Sequence, residues 1–391
     1  MKNGNKKRRV CVVVNSRANY GRIKSVLQAV REKDDLELKL IVGASALLYR
    51  FGEVNKVLKA DGFEANATVY SIVEGETPTT MAKSTGMAIM ELATQFENLK
   101  PDVVITVADR FETMATAVAA SYMNIPLAHT QGGEVTGSID ESVRHAVTKL
   151  SHLHFAATER AKEYVIRMGE DPATVHCTGC PAIDVIANID LSLPEDIFVR
   201  YMGVGPDIDP EKPYIVVLQH PVTTEWKQGQ RQIEETLYAI EAMGIQTVWL
   251  WPNVDAGSDK VSKGLRMFRE EKKPDYIHFY RNFAVEDYAR VINNAACIAG
   301  NSSSGLREGS FLGTPVVDIG NRQANREHGK NVVHVDYDAK LIEKAVRGQM
   351  ENGRYERSTL YGDGRAGKRI ATILSECDIK IQKSLFYPKL K

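Results

Sequence analysis

Three carboxylates and several cations stand close together in the first half of this 391-residue sequence. Asp109 follows the apolar run Val103–Thr106, Glu134 follows Gly132-Gly133, and Asp140 opens a helical period soon afterwards. Arg110, His129 and His145 lie among them, and the earlier segment Asn15-Ser16-Arg17-Ala18-Asn19-Tyr20-Gly21 contributes Arg17. Carboxylates grouped with cations suit proton transfer at a polarised substrate. Asp109 or Asp140 alone fits a helix N-cap equally well. The trio, with a glutamate directly after two glycines, favours chemistry over capping.

A complementary set occupies the second half. Gly300-Asn301-Ser302-Ser303-Ser304-Gly305 follows an apolar run and opens a helix that includes Arg307 and Glu308. Serines at a helix start offer N–H groups, hydroxyls and the positive dipole end to an anion. The run lacks the lysine of GxxxxGK[ST] and is not GxGxxG, so it favours a diphosphate without a nicotinamide signature. A Ser-Ser pair alone is also an ordinary cap. His220 follows Tyr214–Leu218, Asn253 and Asp255 follow Thr247–Trp251, and Arg322 follows Val316–Ile319 as a candidate phosphate clamp. A lone histidine is more often packed than catalytic; its place at a strand's carboxyl end favours function here. No metal or other cofactor is expected. Cys177-Thr178-Gly179-Cys180 has no partner pair, and His152-Leu153-His154 has no third ligand. Neither Ser302 nor Ser303 sits in a G-x-S-x-G elbow.

These residues share one position in the pattern, the carboxyl end of a strand, where open parallel sheets bind ligands. Strands are expected at Arg9–Val14, Leu36–Val42, Val103–Thr106, Ile125–Thr130 and His152–Ala156. Ile23, Val26, Leu27 and Val30 form a helical stripe. Further helices are expected over Thr79–Phe96, Met114–Tyr122, Glu141–Leu150 and Glu159–Met168. After the Pro-, Gly- and Asp-rich stretch Leu191–Pro213, a second series runs through Tyr214–Leu218, Thr247–Trp251, Tyr276–Phe279, Ala296–Ala299 and Val316–Ile319. Alternating strands and helices predict an α/β protein with two Rossmann-like, doubly wound domains facing a cleft. One domain is expected at 1–187 plus 366–391, the latter a returning C-terminal helix, and the other, binding the nucleotide, at 188–365.

Composition narrows the class further. Lys plus Arg and Asp plus Glu each total 50, so no global field favours a nucleic acid. No apolar stretch approaches the ~20 residues of a membrane span. The basic start MKNGNKKRRVCVVV has too short an apolar run for a signal peptide, and five cysteines, an odd number, suit a reducing compartment. A cytoplasmic location is therefore expected.

The run Val107-Ala108-Asp109-Arg110-Phe111-Glu112 and the segment HTQGGEVTGSIDESVRHAVTKLSHLH from His129 resemble the hydrolysing UDP-N-acetylglucosamine 2-epimerases of the sialic-acid pathway. LQHPVTTE, WPNVDAGSD and IAGNSSSGLREG through GTPVVDIGNRQANRE are similar to the same family, as is the epimerase half of the bifunctional animal enzyme. The resemblance runs in order over nearly the whole chain. It implies a GT-B-like domain pair, a UDP-sugar substrate and a homodimer or homotetramer. Ser302, Ser303 and Arg322 would bind phosphates and Glu308 the ribose. Asp109, Glu134, Asp140 and His220 would line the reacting sugar, with Arg17, Arg110, His129 and His145 around it. Two positions depart from the family pattern: Asn19 stands for an aspartate, and Gly43-Ala44-Ser45-Ala46 lacks a histidine. Both put the sugar's substituents in question, a 4-acetamido-6-deoxy sugar being handled by near relatives. A GT-B glycosyltransferase is the main rival. The non-hydrolysing epimerase is nearer, but its T-R-P-E loop is missing here and GGE stands where it has E-A-G.

Overall fold

Strands with apolar side chains on both faces need cover on both sides, and the continuous Val, Ile and Leu runs become central strands. The computed structural model describes residues 7–49, 54–75, 77–252 and 257–386. Its first sheet contains β1 (Arg8–Val14), β2 (Leu36–Gly43), β3 (Ala67–Val69), β4 (Val103–Val107), β5 (Leu127–Thr130), β6 (Leu153–Ala156) and β7 (Val175–Cys177). They lie parallel in the order β3-β2-β1-β4-β5-β6-β7. Helices α1 (Arg17–Gly21), α2 (Lys24–Glu32), α3 (Val54–Ala60), α4 (Pro78–Leu99), α5 (Phe111–Tyr122), α6 (Ile139–Leu150), α7 (Glu159–Arg167) and α8 (Pro181–Ala187) fill the connections. Successive residues of β1 point to opposite faces. Val10, Val12 and Val14 meet the stripe of α2, whereas Cys11 and Val13 join Leu92 and Phe96 of α4.

The second sheet repeats the plan with β8 (Gly203–Val204), β9 (Ile215–Leu218), β10 (Thr247–Leu250), β11 (Ile277–Tyr280), β12 (Cys297–Gly300), β13 (Val316–Ile319) and β14 (Val332–Val335). The order is β14-β13-β12-β9-β10-β11-β8, and only β8, at the edge, runs antiparallel to its neighbour. Its helices are α9 (Gly229–Met243), α10 (Ser258–Lys272), α11 (Val285–Asn294), α12 (Ser303–Leu306), α13 (Glu308–Leu312) and α14 (Ala339–Asn352). Each sheet therefore reverses its strand order once, between β1 and β4 and between β9 and β12. Ligands favour such switch points. The two face each other, a GT-B-like arrangement of doubly wound α/β sheets.

The last helix, α15 (Ala366–Glu376), buries Ile370, Ala371 and Leu374 in the core that holds Val10 and Leu27. Its free N-terminal N–H groups find Asp184 of α8, with Ala366 N and Gly367 N at 2.9 and 2.6 Å from the two carboxylate oxygens. The strands β3, β7 and β14 escaped the sequence reading because they lie at sheet edges, part-exposed and without the fully buried apolar run of the central strands. The stretch expected to be irregular contains β8, which pairs with β11. No helix among the described residues is long and apolar enough to cross a membrane.

Candidate active site

The chain leaves β4 and β5 through left-handed residues, Ala108 (φ 63°) and Gln131 (φ 64°). Such a conformation is costly for a residue with a side chain and persists only when its surroundings enforce it. The first exit delivers Asp109 and the second delivers Gly132-Gly133-Glu134. Gly133 has φ 78°, and a Cβ there would lie 2.0 Å from the Ala161 carbonyl oxygen of α7, so only glycine lets the loop lie against that helix.

Neither Asp109 nor Asp140 serves as an N-cap. The α6 cap is Ser138, whose hydroxyl accepts from Asp140 N at 3.3 Å, and the α5 cap position is Arg110. Asp109 instead meets Arg144, whose Nε lies 3.1 Å from Oδ2 and whose Nη2 also bonds that oxygen. Arg144 also donates to the Glu134 carbonyl. Glu134 Oε2 receives Arg307 Nη2 at 2.5 Å and Arg326 Nη2 at 2.9 Å, both from the second sheet's side. Burial pushes both carboxyls up. Arg144, Arg326 and Arg22 nevertheless carry Asp109 well below the usual carboxylate range, and Arg307, Arg326 and Arg144 bring Glu134 below its ordinary value.

Beside this cluster a cleft opens toward solvent, lined by Arg17, Arg22, His220, Tyr288, Ser302, Ser303, Ser304, Glu308 and Arg322, with Leu218, Leu250 and Phe283 among its apolar walls. Ser303 Oγ lies 2.7 Å from Arg22 Nη2 and 3.4 Å from Arg307 Nη1. Both guanidiniums can only donate, so the serine hydrogen is left to donate into the cleft. Burial lowers Arg17 to about 10, which leaves it charged at neutral pH. His220 lies well below its ordinary value through burial and the nearby Arg322, Arg110 and Arg17, so it is a neutral ring. Burial raises Glu308 despite Arg307 and Arg22, and its Oε2 is buried without a hydrogen-bond partner. Cations and donors thus outnumber anions in the cleft, which fits an anionic ligand with a few hydroxyls.

Of the residues singled out from sequence, Arg17, His220, Ser302, Ser303, Glu308 and Arg322 line this cleft. Asp140 approaches it through Arg322 at 3.9 Å. Asp109 and Glu134 lie in the buried cluster behind it. Arg110 pairs with Glu112 at 3.3 Å and still lies near enough to depress His220. His129 does not line the cleft. It is fully buried, its Nε2 2.8 Å from Ala108 O and its Nδ1 3.3 Å from Thr148 Oγ1, and burial lowers it to about 3. His145 is partly exposed and faces Glu141 at 3.4 Å. Asn253 and Asp255 fall outside the described residues. Asn19 is buried too; its amide accepts from Asn15 N at 3.2 Å and reaches Val107 O at 3.4 Å, a pairing that an ionised aspartate could not donate to.

Sequence reasoning missed Arg22, Arg144 and Arg326 and noted Arg307 only in passing. Arg326 follows β13 just as Arg322 does, and that strand-end rule was the available signal. Contacts such as Gly137 N to Arg322 O at 3.1 Å join the two halves of the site. Among the described residues no three His, Cys, Asp or Glu side chains gather to hold a metal ion.

Residues 28–375 match the family described as UDP-N-acetylglucosamine 2-epimerase. The chain is 32% identical to the UDP-N,N'-diacetylbacillosamine 2-epimerase (hydrolyzing) of Legionella pneumophila, over 96% of this chain and 97% of the relative. It is 30% identical to the polysialic acid biosynthesis protein P7 of Escherichia coli, over 87% and 85% of the two chains. In fold it is similar to the UDP-GlcNAc 2-epimerase of Methanocaldococcus jannaschii, solved with UDP-GlcNAc and UDP, at a TM-score of 0.78 and 17% identity over 94% of this chain and 99% of the other.

Proposed function

The chain belongs to the UDP-N-acetylglucosamine 2-epimerase family, and we propose that within it this protein is the hydrolysing kind. It converts UDP-N-acetylglucosamine, or a close 4-acetamido-6-deoxy analogue, to UDP and N-acetylmannosamine or its analogue, for sialic-acid-type sugar synthesis. The observation that carries the reading is a cationic, donor-rich cleft directly against buried, ionised carboxylates. The Legionella relative carries the hydrolysing name, and GGE at Gly132–Glu134 supports the same choice.

In this proposal Ser302, Ser303 and Arg322 hold the diphosphate, and Glu308 accepts the ribose hydroxyls. Neutral His220 hydrogen-bonds the β-phosphate. Asn253 and Asp255 are assigned to substrate binding by resemblance. In an α-linked gluco sugar the C1 oxygen and C2 hydrogen are axial and on opposite faces, which suits anti elimination. UDP departs with the C1–O electron pair, a carboxylate takes the C2 proton, and a 2-acetamidoglucal remains. Water then adds at C1 and a proton arrives at C2 on the other face. Asp109, Glu134 and Asp140 share these proton transfers, with Arg17 and Arg110 beside them, and His129 braces the Asp109 turn against α6. A base must be ionised to act, and the arginines around Glu134 support that state. Preset donors stabilise the departing diphosphate. The proposed domains are 1–187 with 366–391, and 188–365. The protein is proposed to work in the cytoplasm as a homodimer or homotetramer.

Proton NMR of the protein with UDP-N-acetylglucosamine in heavy water tests this. Free UDP with C2-deuterated N-acetylmannosamine is expected, or the same from the 4-acetamido-6-deoxy analogue. UDP retained on an epimerised sugar would make the enzyme non-hydrolysing, and transfer to an acceptor with C2 untouched would make it a glycosyltransferase.

A further inference from the structure

Glu134 uses its two oxygens differently. Oε2 receives Arg307 at 2.5 Å and Arg326 at 2.9 Å, whereas Oε1 is buried without a partner. Arg307 stands where α12 meets α13, and Arg326 lies on the segment between β13 and β14. Both are at most 5% exposed, and neither lines the nucleotide cleft. Arg326 also lies 4.0 Å from Asp109 Oδ2, so one guanidinium spans both carboxylates. A carboxylate buried this deeply stays ionised only when paired. The first sheet supplies the carboxylate, and the second supplies the charges on its Oε2.

We propose that Arg307 and Arg326 are positioning residues for the reaction. Together they hold Glu134 ionised by Oε2 and leave Oε1, which has no partner of its own, to take the substrate proton. Because they come from the opposite half of the molecule, Glu134 becomes competent only when the two halves are closed. The inference rests on the epimerase reading above and adds to it a reason why closure and chemistry are linked. Arg326 acts through Glu134; Arg307 does so too and also donates to Ser303 Oγ at 3.4 Å, and neither lines the cleft.

The test uses Arg307→Gln, Arg326→Gln and Arg326→Lys in the full chain, alone and combined with Glu134→Gln. kcat is expected to fall about 10- to 100-fold, the scale of misplacing a reacting group. In the Arg326 variants UDP affinity measured by calorimetry should stay within roughly threefold, since Arg326 meets neither the cleft nor Ser303. Removing a cation raises the Glu134 pKa, so the acidic limb of kcat/KM should move up by about one pH unit. Arg326→Lys should recover part of kcat, and adding Arg326→Gln to Glu134→Gln should cost nothing further. In the Arg326 variants, equal losses of kcat and UDP affinity with an unmoved pH limb, or multiplicative losses in the double variant, would overturn the proposal. The same variants are also compared by thermal unfolding, which needs no turnover. Non-additive Tm changes are expected for the Arg326–Glu134 pair, and additive ones would remove the pairing even if no sugar were turned over. A wild-type chain inactive on both sugars but with non-additive Tm changes would instead count against the epimerase reading.

Discussion

At the scale of single residues, the site is organised by which atoms can only donate and which can only accept. Ser303 shows this clearly, because Arg22 and Arg307 both present donors to its oxygen. Its hydrogen thereby stays available to an acceptor in the cleft that Ser303 lines. Ser303→Ala should therefore weaken UDP binding by about 1–2 kcal/mol, a roughly five- to thirtyfold rise in Kd that titration calorimetry would register. An unchanged Kd would place the diphosphate elsewhere. The serine itself was legible in the sequence as a candidate, since a serine run between glycines after a strand offers donors to an anion even where it also caps a helix. Arg22 as its partner was not, because the two residues meet only across the cleft.

At the scale of elements, short loops with enforced backbone geometry set the positions. Gly133 lies against Ala161 of α7, and Gly137 approaches so closely that a Cβ would stand 2.0 Å from Asn321 O. Gly133→Ala should cost about 3 kcal/mol or more, combining left-handed strain with a backbone clash, and differential scanning calorimetry should show the lowered Tm. A Tm within a degree of wild type would mean the loop relaxes without loss. The Gly-Gly-Glu order marked its glutamate for chemistry in the sequence. What it could not announce was α7 as the wall behind that loop. The long helix α4 was legible because many residues repeat one period, and the central strands because they are continuous apolar runs, whereas β14 is an edge strand with two exposed residues.

At the scale of the whole molecule, buried histidines make stability depend on pH. Burial lowers His129 to about 3, and it also lowers His154 and His220, so the fold keeps all three neutral. Their unfolded pKa is near 6.5, so below that value only the unfolded chain takes up their protons. Their contribution is complete above pH 6.5 and declines as the pH falls toward the folded values. Asp109 and Glu134, held low by arginines, add a loss in the same direction below about pH 4.5. Stability from urea unfolding should thus decline between pH 7 and 5. His129→Gln should flatten that decline by about 1.4 kcal/mol per pH unit below 6.5, one proton's worth. An unaltered slope would mean that His129 is protonated in the folded state.

Local sequence alone determined the α/β class, the central strands and the position of reactive side chains at strand ends, since period and strand-end placement are properties of neighbouring residues. It also carried the family likeness, through short motifs in a fixed order. Tertiary structure alone decided which charges meet. Arg307 and Arg326 lie 173 and 192 positions from Glu134 in the sequence, and no local rule relates them. It decided too that His129 is a buried brace and not a cleft residue, because burial depends on what the rest of the chain packs over it. Ion pairing and desolvation depend on distance in space, and only the folded chain defines that distance.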